Sequence, residues 1–186
     1  MKLYGSYTSP YVRHCRIALL EAGFAAEFIE ADQIVSAIKS PTKRVPFLED
    51  GTTFLTDSSA IIRYIREKVG TKFLPTVEEL NQFCTVNAAL DSCANLFFLQ
   101  RDGVDIQAYE YTKRQAARIE SSLEELDGLN LPMQAPYNDV HLRLACFLAW
   151  ALFRNRISLE PYKNLQKFLY NIDNFPPFFD TAPPVG

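Results

Sequence analysis

Ser9 stands directly before Pro10, the first place in the chain where a reactive hydroxyl meets a defined helix end. Serine is a preferred N-cap and proline a preferred first helical residue, so the pair starts a helix with a hydroxyl among unpaired backbone N–H groups. Such a hydroxyl can donate a hydrogen bond to an anion, or it only caps. In Lys43-Arg44-Val45-Pro46, two cations precede a proline that enters a strand, where a missing N–H is tolerated. Thr56-Asp57-Ser58-Ser59 sets a carboxylate and hydroxyls at another helix start, as ordinary caps or as a clamp for a ligand's charged group. Each pattern alone has a purely structural explanation.

The other reactive side chains are not spaced for chemistry. Cys15, Cys84, Cys93 and Cys146 show no C-x-x-C spacing, and His14 and His141 fall in no metal-ligand pattern. Inert or buried thiols and no metal are expected. The net charge of −3 gives no overall drive toward nucleic acid or an anionic membrane. The longest apolar run, the ten residues Leu144 to Phe153, falls short of the roughly 18 that suggest a membrane span. Met1 to Gly5 lacks the apolar stretch of a secretory signal, so a cytoplasmic location is expected. With 48% hydrophobic and 22% charged residues, the chain reads as a soluble globular protein.

The elements that must position these residues fall into two halves. Lys2 to Tyr4 reads as a strand, Pro10 to Ala22 as a helix ending on Gly23, and Glu27 to Ile29 as a second strand, a unit that favours parallel pairing. After an irregular stretch, Pro46 to Glu49 and Thr52 to Leu55 flank Asp50-Gly51, a hairpin signal suited to a type I′ turn. Thr56 to Ser59 then caps a helix through Ile61, Ile62 and Ile65 to Gly70. Beyond a linker at Phe73-Leu74-Pro75 the texture is helical: Val77 to about Asp102, an Ala116, Ile119, Leu123, Leu126 stripe, the apolar Leu142 to Phe153, and Pro161 to Asp173 before the Phe175-Pro176-Pro177 tail.

Taken in order, Ser9-Pro10-Tyr11-Val12-Arg13, Val45-Pro46, Asp57-Ser58 and an all-helical second half with Asp139 leading its buried helix resemble the glutathione S-transferase family over essentially the whole chain. The resemblance implies a fold of α/β plus all-α type. A thioredoxin-like N-terminal domain (βαβ-α-ββα) over 1–72 precedes a C-terminal helical bundle over 73–186. It also implies a cis Pro46, which leaves the Val45 backbone free to pair with the cysteine of glutathione, and an Asp57-Ser58 pair that holds the γ-glutamyl group at a positive helix end. Ser9 matches the serine whose hydroxyl hydrogen-bonds the glutathione sulfur. Arg13, one turn on, either adds positive potential or is a solvated surface arginine. The glycyl carboxylate falls to Lys39, Lys43 or Arg44.

Several departures from the family pattern bear on these expectations. Serine rather than cysteine at position 9 disfavours mixed-disulfide chemistry, and Cys15, on a different face of that helix, reads as core. Tyr4 or Tyr7 stands as an alternative source of the activating hydroxyl. Pro136 occupies the place of the family's Ser or Thr three residues before Asp139, so the capping box of that helix reads as incomplete. The segment from Ala31 to Arg44 looks short for the family, which predicts weak glutathione affinity.

The expected activity is a glutathione transferase acting in detoxification. It activates the thiolate of glutathione, its co-substrate, for attack on a small hydrophobic electrophile lined by Tyr11 and Phe98. The alternatives are a non-catalytic regulatory protein of the same fold and a glutathione-dependent isomerase or peroxidase. The resemblance further implies a homodimer, with no nucleic-acid or membrane partner.

Overall fold

The structure, a computed structural model, describes residues 1–184. Its first seven elements are β1 (Lys2–Gly5), α1 (Pro10–Glu21), β2 (Glu27–Glu30), α2 (Gln33–Lys39), β3 (Phe47–Asp50), β4 (Thr53–Leu55) and α3 (Ser58–Lys68). The strands form one sheet in the order β2-β1-β3-β4, with β1 parallel to β2 and antiparallel to β3. This is the expected βαβ-α-ββα order. The stretch that looked irregular holds α2, because Asp32 accepts the Val35 N–H at 2.8 Å and so starts a helix.

Residues alternate across the sheet and give it two apolar faces. Leu3 and Leu48 pack with Cys15, Ala18 and Leu19 of α1 and with Ile61, Ile62 and Ile65 of α3. Tyr4 and Phe47 point the other way, stacked with ring centroids 4.5 Å apart beside Ala31. The β3–β4 hairpin departs from the type I′ expectation. Asp50 pairs with Thr53, so the two loop residues are Gly51 and Thr52, and of these only Gly51 has positive φ, at 62°. That is the demand of a type II′ loop. Asp50 instead closes the strand, accepting the Tyr64 hydroxyl at 2.7 Å and pairing with Lys68 at 2.9 Å.

The remaining elements are α4 (Val77–Arg101), α5 (Glu110–Asp127), α6 (Asp139–Phe153), α7 (Lys163–Ile172) and α8 (Pro176–Phe179). Helix α4 begins with a full capping box from Thr76 and Glu79. Helix α6 is buried nearly all round, from Val140 to Ala151. It starts three residues before the apolar run because Asn138, not position 136, is its N-cap, and Asn138 forms a complete capping box with His141. The incomplete box expected at Pro136 is therefore corrected. Among the described residues no helix is long and apolar enough to cross a membrane.

Packing divides the chain into two compact units, Thr76–Asp173 and Met1–Pro75 joined by the segment from Asn174. The helical domain expected over 73–186 thus loses its last stretch to the first unit. The cause is on α1. The Arg13 guanidinium lies 3.7 Å from the Phe178 ring and donates to Phe178 O at 2.8 Å, while Arg16 donates to Thr181 O at 3.1 Å. Arg13 is only 5% exposed, so its reading as a solvated surface arginine fails.

Candidate active site

The register of the sheet brings the three sequence patterns to one end of its strands. Tyr4 of β1 pairs with Phe47 at the start of antiparallel β3, so the loop leaving β1 toward Ser9 and the Val45-Pro46 entry to β3 share one end. Strand β4 runs back along β3, with Leu55 opposite Leu48, and delivers Asp57 and Ser58 to that same end. The N-termini of α1 and α3 both start there, each with its positive dipole end.

Ser9 is the N-cap of α1, and its Oγ accepts the Val12 N–H at 3.4 Å. A hydroxyl that caps as an acceptor still has its hydrogen to donate, so the cap and a hydrogen bond to an anion are compatible. The close seat of α1 has a specific cause at Gly5: a Cβ there would stand 2.5 and 2.6 Å from the two Val12 methyls. Helix and strand can approach only because Gly5 has no side chain.

The Val45–Pro46 peptide bond is cis. Val45 is half-buried and precedes the first β1–β3 pair, so its backbone groups lie beyond the ladder. Asp57 caps α3, its Oδ1 accepting the Ser59 N–H at 2.8 Å, and Ser58 is buried as the first helical residue. Cys15 is fully buried, and its thiol donates to Ser58 O at 3.8 Å. It ties α1 to the start of α3 and packs in the core, as expected.

The structure places the other candidates unevenly. Tyr4 is excluded as a substitute for Ser9 because its hydroxyl donates to Glu49 at 2.8 Å. Tyr7 packs its ring on Phe28 at 4.6 Å with the Arg16 guanidinium 4.9 Å from its centroid. Lys39 is already engaged, its Nζ 4.6 Å from the Tyr4 ring centroid. Lys43 and Arg44 remain exposed beside Val45. Tyr11 is half-buried on α1, in the first unit. Phe98 belongs to the second unit, 42% exposed on α4 and edge-on to Phe97 at 5.3 Å. Among the described residues no group of three His, Cys, Asp or Glu is arranged to hold a metal ion.

Two features escaped the sequence reading: the close approach at Gly5 and the burial of Arg13 against Phe178. The first has a signal in hindsight, a glycine ending a strand four residues before a capped helix. The second depends on a contact between residues 165 positions apart, which no local pattern announces.

Comparison with known proteins gives the family and the fold. Residues 3–73 match the family model for the glutathione S-transferase N-terminal domain. An uncharacterized GST-like protein, YibF, of Escherichia coli K12 is 31% identical over 204 aligned residues, covering 99% of both chains. A glutathione S-transferase from Methylobacillus flagellatus, solved with glutathione bound, superposes with a TM-score of 0.84 at 20% identity, covering 98% of this chain and 99% of that one. Maleyl pyruvate isomerase, a bacterial glutathione S-transferase of the zeta class, superposes with a TM-score of 0.78 at 20% identity over 98% and 97% of the two chains. With a sequence relative of that identity over nearly its full length, and with its capped helices and proline-led strand meeting at one end of the sheet, the chain belongs to the glutathione S-transferase family.

Proposed function

We propose that the protein is a glutathione transferase that binds glutathione along Val45 and the α3 N-terminus and activates its sulfur at Ser9. The observation that carries this reading is the meeting of Ser9, Val45-Pro46 and Asp57-Ser58 at one end of the sheet. Extended along the free backbone of Val45, the tripeptide adds a short strand. Its γ-glutamyl carboxylate meets the N–H groups at the start of α3, and Asp57 faces the ammonium. The glycyl carboxylate meets Lys43 or Arg44. A small hydrophobic electrophile is the second substrate.

Activation needs only modest energy. A free thiol has a pKa of about 8.5, and lowering it by about two units takes roughly 2.7 kcal/mol and leaves it mostly thiolate at neutral pH. One hydroxyl hydrogen bond to the anion together with a helix N-terminus is of that size. Ser9 keeps its own proton throughout. The family likeness further supports a homodimer acting in detoxification.

Calorimetric titration with glutathione, followed by conjugation to an activated aryl halide, tests the reading. Binding with turnover is expected. A folded protein that does not bind glutathione would leave the non-catalytic regulatory reading in its place. A second reading, glutathione-dependent isomerisation, is favoured by the likeness to maleyl pyruvate isomerase. It uses the same binding site and is distinguished by turnover of a cis-unsaturated dicarboxylate without consumption of glutathione.

A further inference from the structure

The second unit contains a cavity of about 290 Å³, walled by α4, the loop that follows it, α5 and the loop after α6. Its wall residues lie between Cys93 and Arg156, so it shares none with Ser9, Val45, Asp57 or Ser58. The floor is apolar: Leu96 and Ile119 are buried, and Ile106 is half-buried. The wall also carries one cation, Arg156, and one anion, Glu120.

Both charges are oriented by neutral partners. Arg156 donates through Nε to Arg154 O at 2.8 Å and through Nη1 to the Gln100 side-chain carbonyl. These bonds fix the guanidinium without neutralising it and leave further N–H groups on its fork. Glu120 accepts the Tyr162 hydroxyl at 2.9 Å through Oε2. Among the described residues neither charge stands in an ion pair, with the other or with a third group. A cation and an anion, each held by a neutral partner, therefore border one open pocket whose buried floor is apolar.

We propose that this cavity binds a small zwitterion with an apolar body, namely a free apolar α-amino acid such as leucine or phenylalanine. The carboxylate sits on the planar fork of Arg156, the ammonium on Glu120, and the side chain over Leu96, Ile106 and Ile119. A simple carboxylic acid leaves Glu120 facing a like charge, and an amine does the same to Arg156. The cavity volume is near the lower bound of small-molecule sites, which suits a ligand of this size better than a nucleotide. The site lies outside the residues proposed to hold glutathione, so it stands or falls independently of that reading.

The test is calorimetric titration of the full chain with L-leucine, with and without saturating glutathione. Parallel titrations use 4-methylpentanoate, which lacks the ammonium, and 3-methylbutylamine, which lacks the carboxylate. Leucine is expected to bind one site whether or not glutathione is present, and each single-charge analogue to bind at least about tenfold more weakly. Arg156→Gln and Glu120→Gln are each expected to weaken leucine by at least about tenfold, with Arg156→Lys recovering part of the loss. Glu120→Gln keeps a carbonyl for the Tyr162 hydroxyl, so its fold is preserved. Absence of binding at about 20 mM leucine, equal affinity for 4-methylpentanoate, or unchanged affinity in both charge variants would overturn the proposal.

Discussion

His141 Nδ1 accepts the backbone N–H of Asn138 at 3.2 Å while Asn138 Oδ1 accepts that of His141 at 3.0 Å, so a histidine closes the capping box of α6. Nδ1 can accept only while it is unprotonated. Burial lowers the pKa of His141, and Glu79 opposes that shift without cancelling it. The folded state therefore favours the neutral ring. The cap's contribution is complete above the unfolded pKa of about 6.5 and is lost as pH falls from there through the depressed folded value. Denaturant midpoints are expected to fall between about pH 7.5 and 5, and His141→Glu, whose carboxylate serves as acceptor, to reduce that fall. An unchanged acid response in His141→Glu would remove the histidine from the account.

If Ser9 both caps α1 and donates to the glutathione sulfur as proposed, stability and activity separate on mutation. Ser9→Ala loses the cap, costing about 1 kcal/mol, and also the hydrogen bond proposed to the sulfur. Ser9→Asp keeps an acceptor for the Val12 N–H but has no proton to donate and places a negative charge beside the thiolate. Thermal stability close to wild type is expected for Ser9→Asp, with conjugation at pH 6.5 reduced about tenfold or more in both variants. The bound thiol, followed by ultraviolet thiolate absorbance, should titrate about one to two units higher in Ser9→Ala. If Ser9→Asp conjugates as fast as wild type, the sulfur is activated elsewhere.

The close approach of Gly5 to Val12 predicts a coupled pair. Gly5→Ala puts a methyl within 2.6 Å of a stiff, fully buried valine, and overpacking of this kind costs about 1–3 kcal/mol. Val12→Ala alone leaves a cavity and also destabilises. The double variant is expected to be more stable than the sum of the two by about 1 kcal/mol in denaturant unfolding, because the second change makes room for the first. Additive effects would mean that the contact relaxes without cost.

The N-terminal fold was readable because its signals are local and repeated. Ser9-Pro10, Asp50-Gly51 and Asp57-Ser58 each mark an element boundary within two residues, and the alternation of Leu3 with Tyr4 fixes the faces of the sheet. Only the three loops' convergence on one end of the sheet had to come from strand order, which the family resemblance supplied and the register then displayed. Two things were hidden by their chemistry. The capping box of α6 uses Asn and His where the common pattern has Ser or Thr with an acid or amide, so the family's usual cap position, Pro136, suggested an incomplete box that is in fact complete two residues on. The C-terminal segment binds the first unit through a buried arginine, a residue type whose pattern in sequence predicts exposure.

That arginine yields the last prediction. Arg13 is held by a 2.8 Å bond to Phe178 O, a weaker one to Thr181 Oγ1 at 3.4 Å, and the face of Phe178 at 3.7 Å. A charged hydrogen bond contributes about 1.5–3 kcal/mol, and a desolvated cation–π contact about 2. Arg13→Ala is therefore expected to cost about 3 kcal/mol or more in denaturant unfolding, and to leave the chain from Asn174 open to limited proteolysis. Arg13→Lys keeps the charge but loses the fork, and should recover less than half of the loss. Phe178→Leu preserves apolar burial and the backbone carbonyl while removing the aromatic face, and so isolates the stacking contribution at about 1–2 kcal/mol. If Phe178→Leu is as stable as wild type while Arg13→Ala is not, the hydrogen bonds of Arg13 rather than the ring hold the segment, and the ring is only packing.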